Sequence, residues 1–298
     1  MKKKIIALSL FSIAVMSIMI FFRLAYYHQI EQSVQQQIRK IVALTPWVRI
    51  AYGDLQIQLG GTIILSDFVL SNKKSGRKIV IHKLHISEFD QHHIIPQFVK
   101  LRAEGIQISV IAKQSTDKNS IGFTQLGFEH LLLSLDIDYH YDDLLQRLLL
   151  KSHIQIKNIA DLSITTELAN IDYAQLNYYK INRDEILLLN GQFTFYEKGL
   201  FRQYIHYQAR QLHLSDEQFV QQLQQRVQKQ LDQAQEQKHL HRVLYYQAWQ
   251  VFIKNQVMLK LQFNQSKGLP IKKIKKMLTT KKGVEALFSE LNFMIQAQ

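Results

Sequence analysis

Apolar and polar residues alternate over much of the chain between residues 47 and 196, and this alternation predicts β-strands. The first runs pass through Val48, Ile50 and Tyr52 and then through Leu55 and Ile57. Successive side chains of a strand point to opposite faces of a sheet, so a period of two indicates strands with one buried face. Further strands are predicted at 63–70, 78–87, 105–112, 131–141, 148–157, 162–172 and 185–196. Turns rather than long helices separate these runs, which indicates an antiparallel sheet.

The period changes to that of a helix after residue 198. Segments 199–214, 219–237 and 239–254 place their apolar residues at helical spacing. Ser215 and Gln218 form a capping-box pattern, in which each side chain bonds to the other residue's backbone N–H at a helix start. The sequence therefore predicts a late helical hairpin at about residues 199–254.

Strand-like alternation returns at 257–263, and residues 291–297 are predicted as a last strand. Pro270 lies between them and suits the first turn of a short helix, where the missing N–H has no partner to lose. Strands followed by a run of helices indicate an α+β fold with a mainly antiparallel sheet. The predicted β-rich domain spans residues 47–298.

The N-terminus has the pattern of a membrane anchor. Lys2, Lys3 and Lys4 precede the 18 uncharged residues 5–22, and Arg23 closes the stretch. A helix of that length spans about 27 Å, close to the ~30 Å hydrocarbon core of a bilayer. No cleavage pattern of small residues follows, so residues 1–23 are predicted to stay as a single-pass anchor in the inner membrane of a bacterium. Its lysine flank predicts a cytoplasmic N-terminus and a periplasmic body.

Residues 24–46 are predicted to continue as a juxtamembrane helix. Ile30, Val34, Ile38 and Ile41 fall on one face of this helix. An apolar stripe of this kind usually packs on a core, so packing on the following domain is favoured over contact with lipid.

Composition and motifs give no sign of catalysis. The chain has 298 residues, of which 47% are apolar and 20% charged, which is typical of a globular protein. It contains no cysteine, so disulfides, thiolate metal sites and cysteine nucleophiles are excluded. The common signatures of hydrolases, nucleotide-binding proteins and zinc proteases are also missing from the sequence. The prediction is a non-enzymatic protein without a cofactor.

Asp136, Asp138, His140 and Asp142 form the best candidate for a metal site. Their spacing of two would place them on one face of a strand, and carboxylates with a histidine can bind divalent metals. Apolar residues fill the alternate positions, as they do in any half-buried strand with a solvated face. The solvated face is the favoured interpretation, so no metal site is predicted.

Two further histidines, His82 and His85, are considered as ligands of a shared metal ion. The two residues are an odd number of positions apart in a predicted strand. Regular alternation would direct them to opposite faces, which would exclude a shared metal ion.

A basic stretch near the C-terminus is the clearest charged feature of a chain with a net charge of +13. Nine lysines and no acidic residue occur between positions 254 and 282. Lys272, Lys273, Lys275 and Lys276 are candidates to contact anionic phospholipid headgroups, at about 1 kcal/mol each near a charged membrane surface. A merely solvated face is an equally good interpretation. Nucleic acid fits the charge but not the predicted compartment.

The same basic segment also contains apolar residues at helical spacing. They are Ile271, Ile274, Met277 and Leu278. If the lysines contact a membrane, these residues are expected to dip into the interface between headgroups and acyl chains.

Several segments together resemble AsmA-like and YdgA-type proteobacterial envelope proteins. The resemblance rests on the anchor, the Leu59-Gly60-Gly61-Thr62-Ile63 turn and the strand Gly105-Ile106-Gln107-Ile108. It continues in 193–202 (FTFYEKGLFR), 248–253 (AWQVFI) and Leu269-Pro270-Ile271. It implies an inner-membrane-anchored periplasmic protein with a curved sheet. For the larger AsmA-like members it further implies movement of phospholipid along an apolar groove.

Two functions therefore remain open. The first is binding or transfer of lipid acyl chains on a groove of the sheet near the inner membrane. The second is an interaction scaffold for envelope proteins that uses the Gln-rich helix at 219–237 and has no lipid ligand. An apolar groove open to solvent would favour lipid binding, and a sealed core would favour the scaffold.

Overall fold

The computed structural model describes residues 47–58, 61–73, 78–90, 97–110, 122–172 and 185–298, together with Gly76, His93 and seven positions between 31 and 43. The predicted anchor at 1–23, including Lys2, Lys3, Lys4 and Arg23, lies outside the described residues. In the part of the chain that is described, no helix is long and apolar enough to span a membrane.

The described residues form an α+β fold with eleven strands in one sheet. The strands are β1 (Val48–Ala51), β2 (Asp54–Ile57), β3 (Ile63–Asn72), β4 (Lys78–Phe89), β5 (Phe98–Ser109), β6 (His130–Asp142), β7 (Arg147–Ile156), β8 (Ala160–Ala169), β9 (Leu187–Glu197), β10 (Met258–Pro270) and β11 (Met294–Ala297). Two strands differ most from the sequence prediction: β5 begins at Phe98 rather than at Gly105, and β10 continues to Pro270 rather than ending at Phe263.

The helices within the described sequence beyond residue 198 are α1 (Leu200–Gln211), α2 (Asp216–Glu236), α3 (Leu240–Asn255), α4 (Ile271–Met277) and α5 (Lys281–Glu290). Helices α1 to α3 confirm the predicted late helical region. The capping box is also confirmed, because Ser215 accepts a hydrogen bond from the Gln218 N–H and the Gln218 side chain accepts one from the Ser215 N–H.

The sheet is open, and its strands are arranged almost in chain order, β1-β3-β4-β5-β6-β7-β8-β9-β10-β11, with β2 also paired to β3. Every described pairing is antiparallel. Short connections can join only neighbouring antiparallel strands, so the meander follows from the turn-separated sequence pattern.

The two faces of the sheet differ sharply in chemistry, as the register of the strands shows. One cross-strand row is wholly apolar: Leu84, Ala103, Leu135, Ile154, Leu162, Phe195, Leu259 and Ala297. The adjacent row is polar: His85, Arg102, Asp136, His153, Ser163, Thr194, Lys260 and Gln296. Because the side-chain period is two, this register assigns one apolar and one polar face to the sheet.

The alternation of faces is interrupted at one level of the neighbouring strands β3, β4 and β5. Asp67 and Gly105 have positive φ angles of 48° and 67°, and the pairing of β5 with β6 shifts between Ala103 and Ile106. Such a bulge inserts an extra residue and changes which face the following side chains occupy. A Cβ on Gly105 would lie 2.8 Å from the Cβ of His82, so the close approach of these strands requires glycine.

This irregularity corrects the prediction for His82 and His85. Ile81 and Leu84 are an odd number of residues apart, yet both are buried in the same core cluster. Both histidines therefore lie on the opposite, polar side of β4. They have separate partners, since His82 Nδ1 is 3.5 Å from an Asp67 oxygen and His85 Nε2 is 3.9 Å from a Glu104 oxygen.

The N-terminal end of the sheet is covered by the helix before it. All seven described positions between 31 and 43 are helical, and Val34 is buried against Ile63, Leu65 and Phe68. At Val34 the apolar stripe thus packs on the sheet, as favoured from the sequence. The other members of the stripe lie outside the described residues.

Candidate functional site

Asp136, Asp138, His140 and Asp142 occupy alternate positions of β6, as the spacing predicted. The register places a basic residue opposite each aspartate. Arg102 and His153 flank Asp136, Lys100 and Lys151 flank Asp138, and Arg147 lies opposite Asp142. Opposite charges at directly facing positions stabilise a sheet, and like charges destabilise it. Of these facing positions, Arg102 and Asp136 are within ion-pair distance at 3.7 Å, whereas Arg147 pairs with Glu167.

The basic residues opposite the aspartates disfavour binding of a metal ion on this face of the sheet. Across the described residues, no group of three or more His, Asp and Glu side chains is arranged to hold a metal ion. His140 lies opposite Phe98 and Leu149 rather than beside another ligand.

A polar depression of about 620 Å³ lies over the same rows of the sheet. The Ser163 hydroxyl is 3.1 Å from Nδ1 of His153, an arrangement that a serine nucleophile would need. The third group is missing, however. Asp136 is 3.7 Å from Nε of Arg102, and Nε2 of His153 has no hydrogen-bond partner among the described residues. The geometry does not make a catalytic triad.

The predicted headgroup residues Lys272, Lys273, Lys275 and Lys276 all lie on α4, with their side chains exposed. The Lys273 ammonium is 2.6 Å from a Glu290 oxygen on α5, so part of its charge is neutralised within the protein. The other lysines keep α4 a strongly basic element.

The expectation for the apolar residues of α4 is wrong in part. Ile274 and Met277 pack against a cluster that contains Leu287 and Leu291, so they join α4 to α5 and are not free to enter a membrane. Leu278 just beyond the helix is 57% exposed. Leu278 is thus the most exposed residue of the stripe.

An apolar cavity of about 740 Å³ lies between the sheet and helices α1 to α3. Its lining residues are almost all apolar or aromatic: Phe123, Leu126, Phe195, Leu200, Phe201, Tyr204, Gln208, Leu223, Val227, Tyr245, Tyr246, Trp249, Phe252, Ile253 and Leu259. Pockets that enclose small ligands typically measure about 300–1,000 Å³ and are lined in this way. The volume and lining suit an apolar ligand.

The connection from β9 to α1 positions one wall of this cavity. The Glu197 carboxylate accepts hydrogen bonds from the N–H groups of Gly199 and Phe201, at 2.6 and 2.9 Å. These are among the backbone donors that a helix start leaves unpaired. Gly199 has a φ of 148°, and a Cβ there would lie 2.5 Å from the Asn158 carbonyl oxygen. The chain therefore turns sharply and directs Phe201 into the cavity.

Phe252 of α3 lies at the centre of an aromatic cluster on the cavity wall. Its ring centroid is 5.1 Å from that of Phe201, 5.6 Å from Trp249 and 6.0 Å from Phe195. All three pairs are tilted or edge-on, which is the favoured geometry for aromatic rings. The cluster joins β9, α1 and α3 and fixes the shape of the wall.

The cavity is electrostatically neutral. None of the described residues that line it carries a formal charge at neutral pH. Burial raises the pKa of the Tyr245 hydroxyl, an effect partly opposed by its hydrogen bond to Trp249. Tyr245 thus remains uncharged well above neutral pH, and the cavity favours uncharged groups over ions.

These lining residues were not predicted to form a site from the sequence. Two segments that carry the family resemblance contain many of them. Segment 193–202 supplies Phe195, Leu200 and Phe201, and segment 248–253 supplies Trp249, Phe252 and Ile253. The density of aromatic residues in both segments was the available signal. It did not show that the segments would meet around a space.

Comparison with known proteins adds one match. A family model described as "Uncharacterized protein" matches residues 153–298. The matched region includes the cavity walls on β9, α1, α2, α3 and β10. No curated protein matches the chain.

Proposed function

We propose that this chain is a non-enzymatic envelope protein that binds the acyl part of a lipid in the cavity between the sheet and helices α1 to α3. The observation that carries the proposal is the uncharged, aromatic-rich cavity of about 740 Å³. Burial of an acyl chain contributes about 0.8 kcal/mol per CH₂ group. A cavity of this kind is therefore a favourable place for a chain that leaves a membrane.

The apolar face of the sheet supports the same proposal. Leu135, Ile137, Ile154 and Ile164 on the central strands are each only partly buried. These side chains extend the apolar surface beyond the cavity itself. A single soluble protein rarely leaves a large apolar surface open unless it binds a partner, a ligand or a membrane.

The proposed setting follows from the sequence. The uncharged stretch at 5–22 would anchor the chain in the inner membrane, with the body in the periplasm. The lysines of α4 would contact anionic headgroups of that membrane. The proposal includes two further points. The chain is similar in organisation to AsmA-like and YdgA-type proteins, and its sheet is curved.

The alternative is a scaffold that uses the Gln-rich surface of α2 to bind an envelope protein. Part of that surface is already used within the chain. Gln228 accepts a hydrogen bond from Gln250, and Gln230 accepts one from the Tyr246 hydroxyl. These contacts hold α2 to α3, next to the cavity, so they support the lipid proposal more than the scaffold.

The test is native mass spectrometry of the full chain after gentle extraction with detergent. We expect co-purified lipid on the wild-type protein and its loss in Val227→Trp, which would fill the cavity from α2. Gln225→Trp places the same bulk on the exposed side of α2 and should keep the lipid. Leu223→Phe is a milder second filling variant if Val227→Trp fails to fold. Absence of lipid on the wild type, or equal lipid on all variants, would overturn the proposal.

A further inference from the structure

Helix α1 presents a stripe of three residues to the cavity. Phe201, Tyr204 and Gln208 are spaced by three and four positions, so they share one side of the helix, and all three line the cavity. The adjacent stripe of Ile205 and Ala209 is buried instead in the interface with α2. Gln208 is thus a polar residue at a cavity-facing position of an otherwise apolar and aromatic wall.

Two hydrogen-bonding groups on this stripe have no partner in the protein. Among the described residues, neither the Tyr204 hydroxyl nor the Gln208 side-chain amide has one. The Tyr204 ring is held in place, with its centroid 6.0 Å from Phe201 and 6.3 Å from Phe219. Neither group is among the fully buried polar atoms that lack a partner, so both reach the open surface of the cavity and are accessible there to a ligand. The pair is therefore suited to a polar group of the ligand.

The chemistry of the pair and of its surroundings limits what that group is. The tyrosine hydroxyl and the glutamine amide both donate hydrogen bonds, and a carbonyl oxygen accepts two. A carboxylate or phosphate would enter a lining without any positive charge among the described residues, which disfavours both. We propose that Tyr204 and Gln208 bind the carbonyl oxygen of an uncharged acyl ester whose chain fills the cavity. This inference rests on the proposed function and specifies its ligand.

The test compares two ligands that differ only in the carbonyl group. One is 1-palmitoylglycerol, an ester, and the other is 1-O-hexadecylglycerol, its ether analogue. Each would displace a fluorescent acyl ester from the full chain in detergent micelles. We expect the wild type to bind the ester about two- to tenfold more tightly for each net hydrogen bond to the carbonyl. Palmitate, which carries a negative charge, should bind more weakly than the ester.

Variants of α1 test whether Tyr204 and Gln208 cause the preference for the ester. Gln208→Leu and Tyr204→Phe should each reduce the ratio of ester to ether affinity while binding of the ether stays nearly unchanged. Gln203→Leu, which makes the same change on the exposed side of the same helix, should leave the ratio as in the wild type.

The outcomes separate this inference from the proposed function. Equal binding of ester and ether by the wild type would overturn the inference and leave lipid binding in place. A preference for the ester that persists in both Gln208→Leu and Tyr204→Phe would also overturn it. If none of the ligands displaces the probe, or no probe binds, both the inference and the proposed function fail.

Discussion

At the scale of single residues, cross-strand neighbours decide what a charged side chain does. Asp136 and Asp138 have the spacing of metal ligands, yet their direct neighbours on β5 and β7 include Arg102, Lys100 and Lys151. The sequence contains each of these residues, but only the register of the strands pairs them. Register in turn depends on a bulge at Gly105, whose positive φ of 67° no alternation pattern predicts. The pairing was therefore not predictable from the spacing of the aspartates.

The prediction at this scale concerns the two aspartates together. Asp136→Asn combined with Asp138→Asn removes the partly exposed Arg102–Asp136 ion pair and the carboxylate that faces Lys100 and Lys151. An exposed ion pair contributes about 0–1 kcal/mol. We expect the free energy of unfolding to fall by about 1 kcal/mol or less, as measured by chemical denaturation. Elemental analysis of the purified protein should show no bound divalent metal before or after the change. Collapse of the fold, or loss of a stoichiometric metal, would mean that this face holds a real site.

At the scale of elements, α2 and α5 show what local sequence determines and what packing determines. The start of α2 was predicted because Ser215 and Gln218 satisfy backbone donors by themselves. Helix α5 was not predicted, since it begins with Lys281-Lys282-Gly283 and glycine disfavours a helix by about 1 kcal/mol. Its stability comes from Leu287, which packs against α4 and β10. Packing of this kind cannot be inferred from helical propensity.

The prediction for elements tests the cap of α2. Ser215→Ala removes the hydroxyl that accepts from the Gln218 N–H at 3.2 Å. Loss of such a cap costs about 1 kcal/mol, so the thermal midpoint should fall measurably. Ser215→Asp keeps an acceptor at the same position and should restore most of the stability. A result in which Asp is as destabilising as Ala would show that the hydroxyl acts in some other way.

At the scale of the whole molecule, the fold class was predictable and the cavity was not. Alternation with turns specifies an antiparallel meander, because each strand carries its own pattern. The cavity lies between Phe195 of β9 and Phe201 of α1 on one side and Trp249 of α3, which is distant from both along the chain, on the other. Whether such residues meet tightly or leave a space depends on helix packing angles, and these are not encoded in any one segment.

At the same scale, the basic helix α4 bears on how the domain at residues 47–298 would contact a membrane. Ile274 and Met277 are used to pack α4 on α5, so they do not contribute apolar contact with lipid. Binding by α4 would then be mainly electrostatic, with Leu278 as its one well-exposed apolar residue. Electrostatic attraction weakens as the Debye length falls from about 10 Å at 0.1 M salt to about 3 Å at 1 M.

We therefore expect the chain from Leu24 onward to bind vesicles that contain phosphatidylglycerol, and to lose most of that binding in 1 M salt. Reversal of Lys272, Lys273, Lys275 and Lys276 to Glu should abolish binding in a vesicle co-sedimentation assay. The matched control reverses four exposed lysines elsewhere and changes the net charge equally: Lys73, Lys78, Lys157 and Lys229. If both quadruple variants lose binding alike, net charge rather than α4 is responsible. Equal binding to neutral and anionic vesicles, or none to either, would mean that the lysines of α4 form only a solvated face.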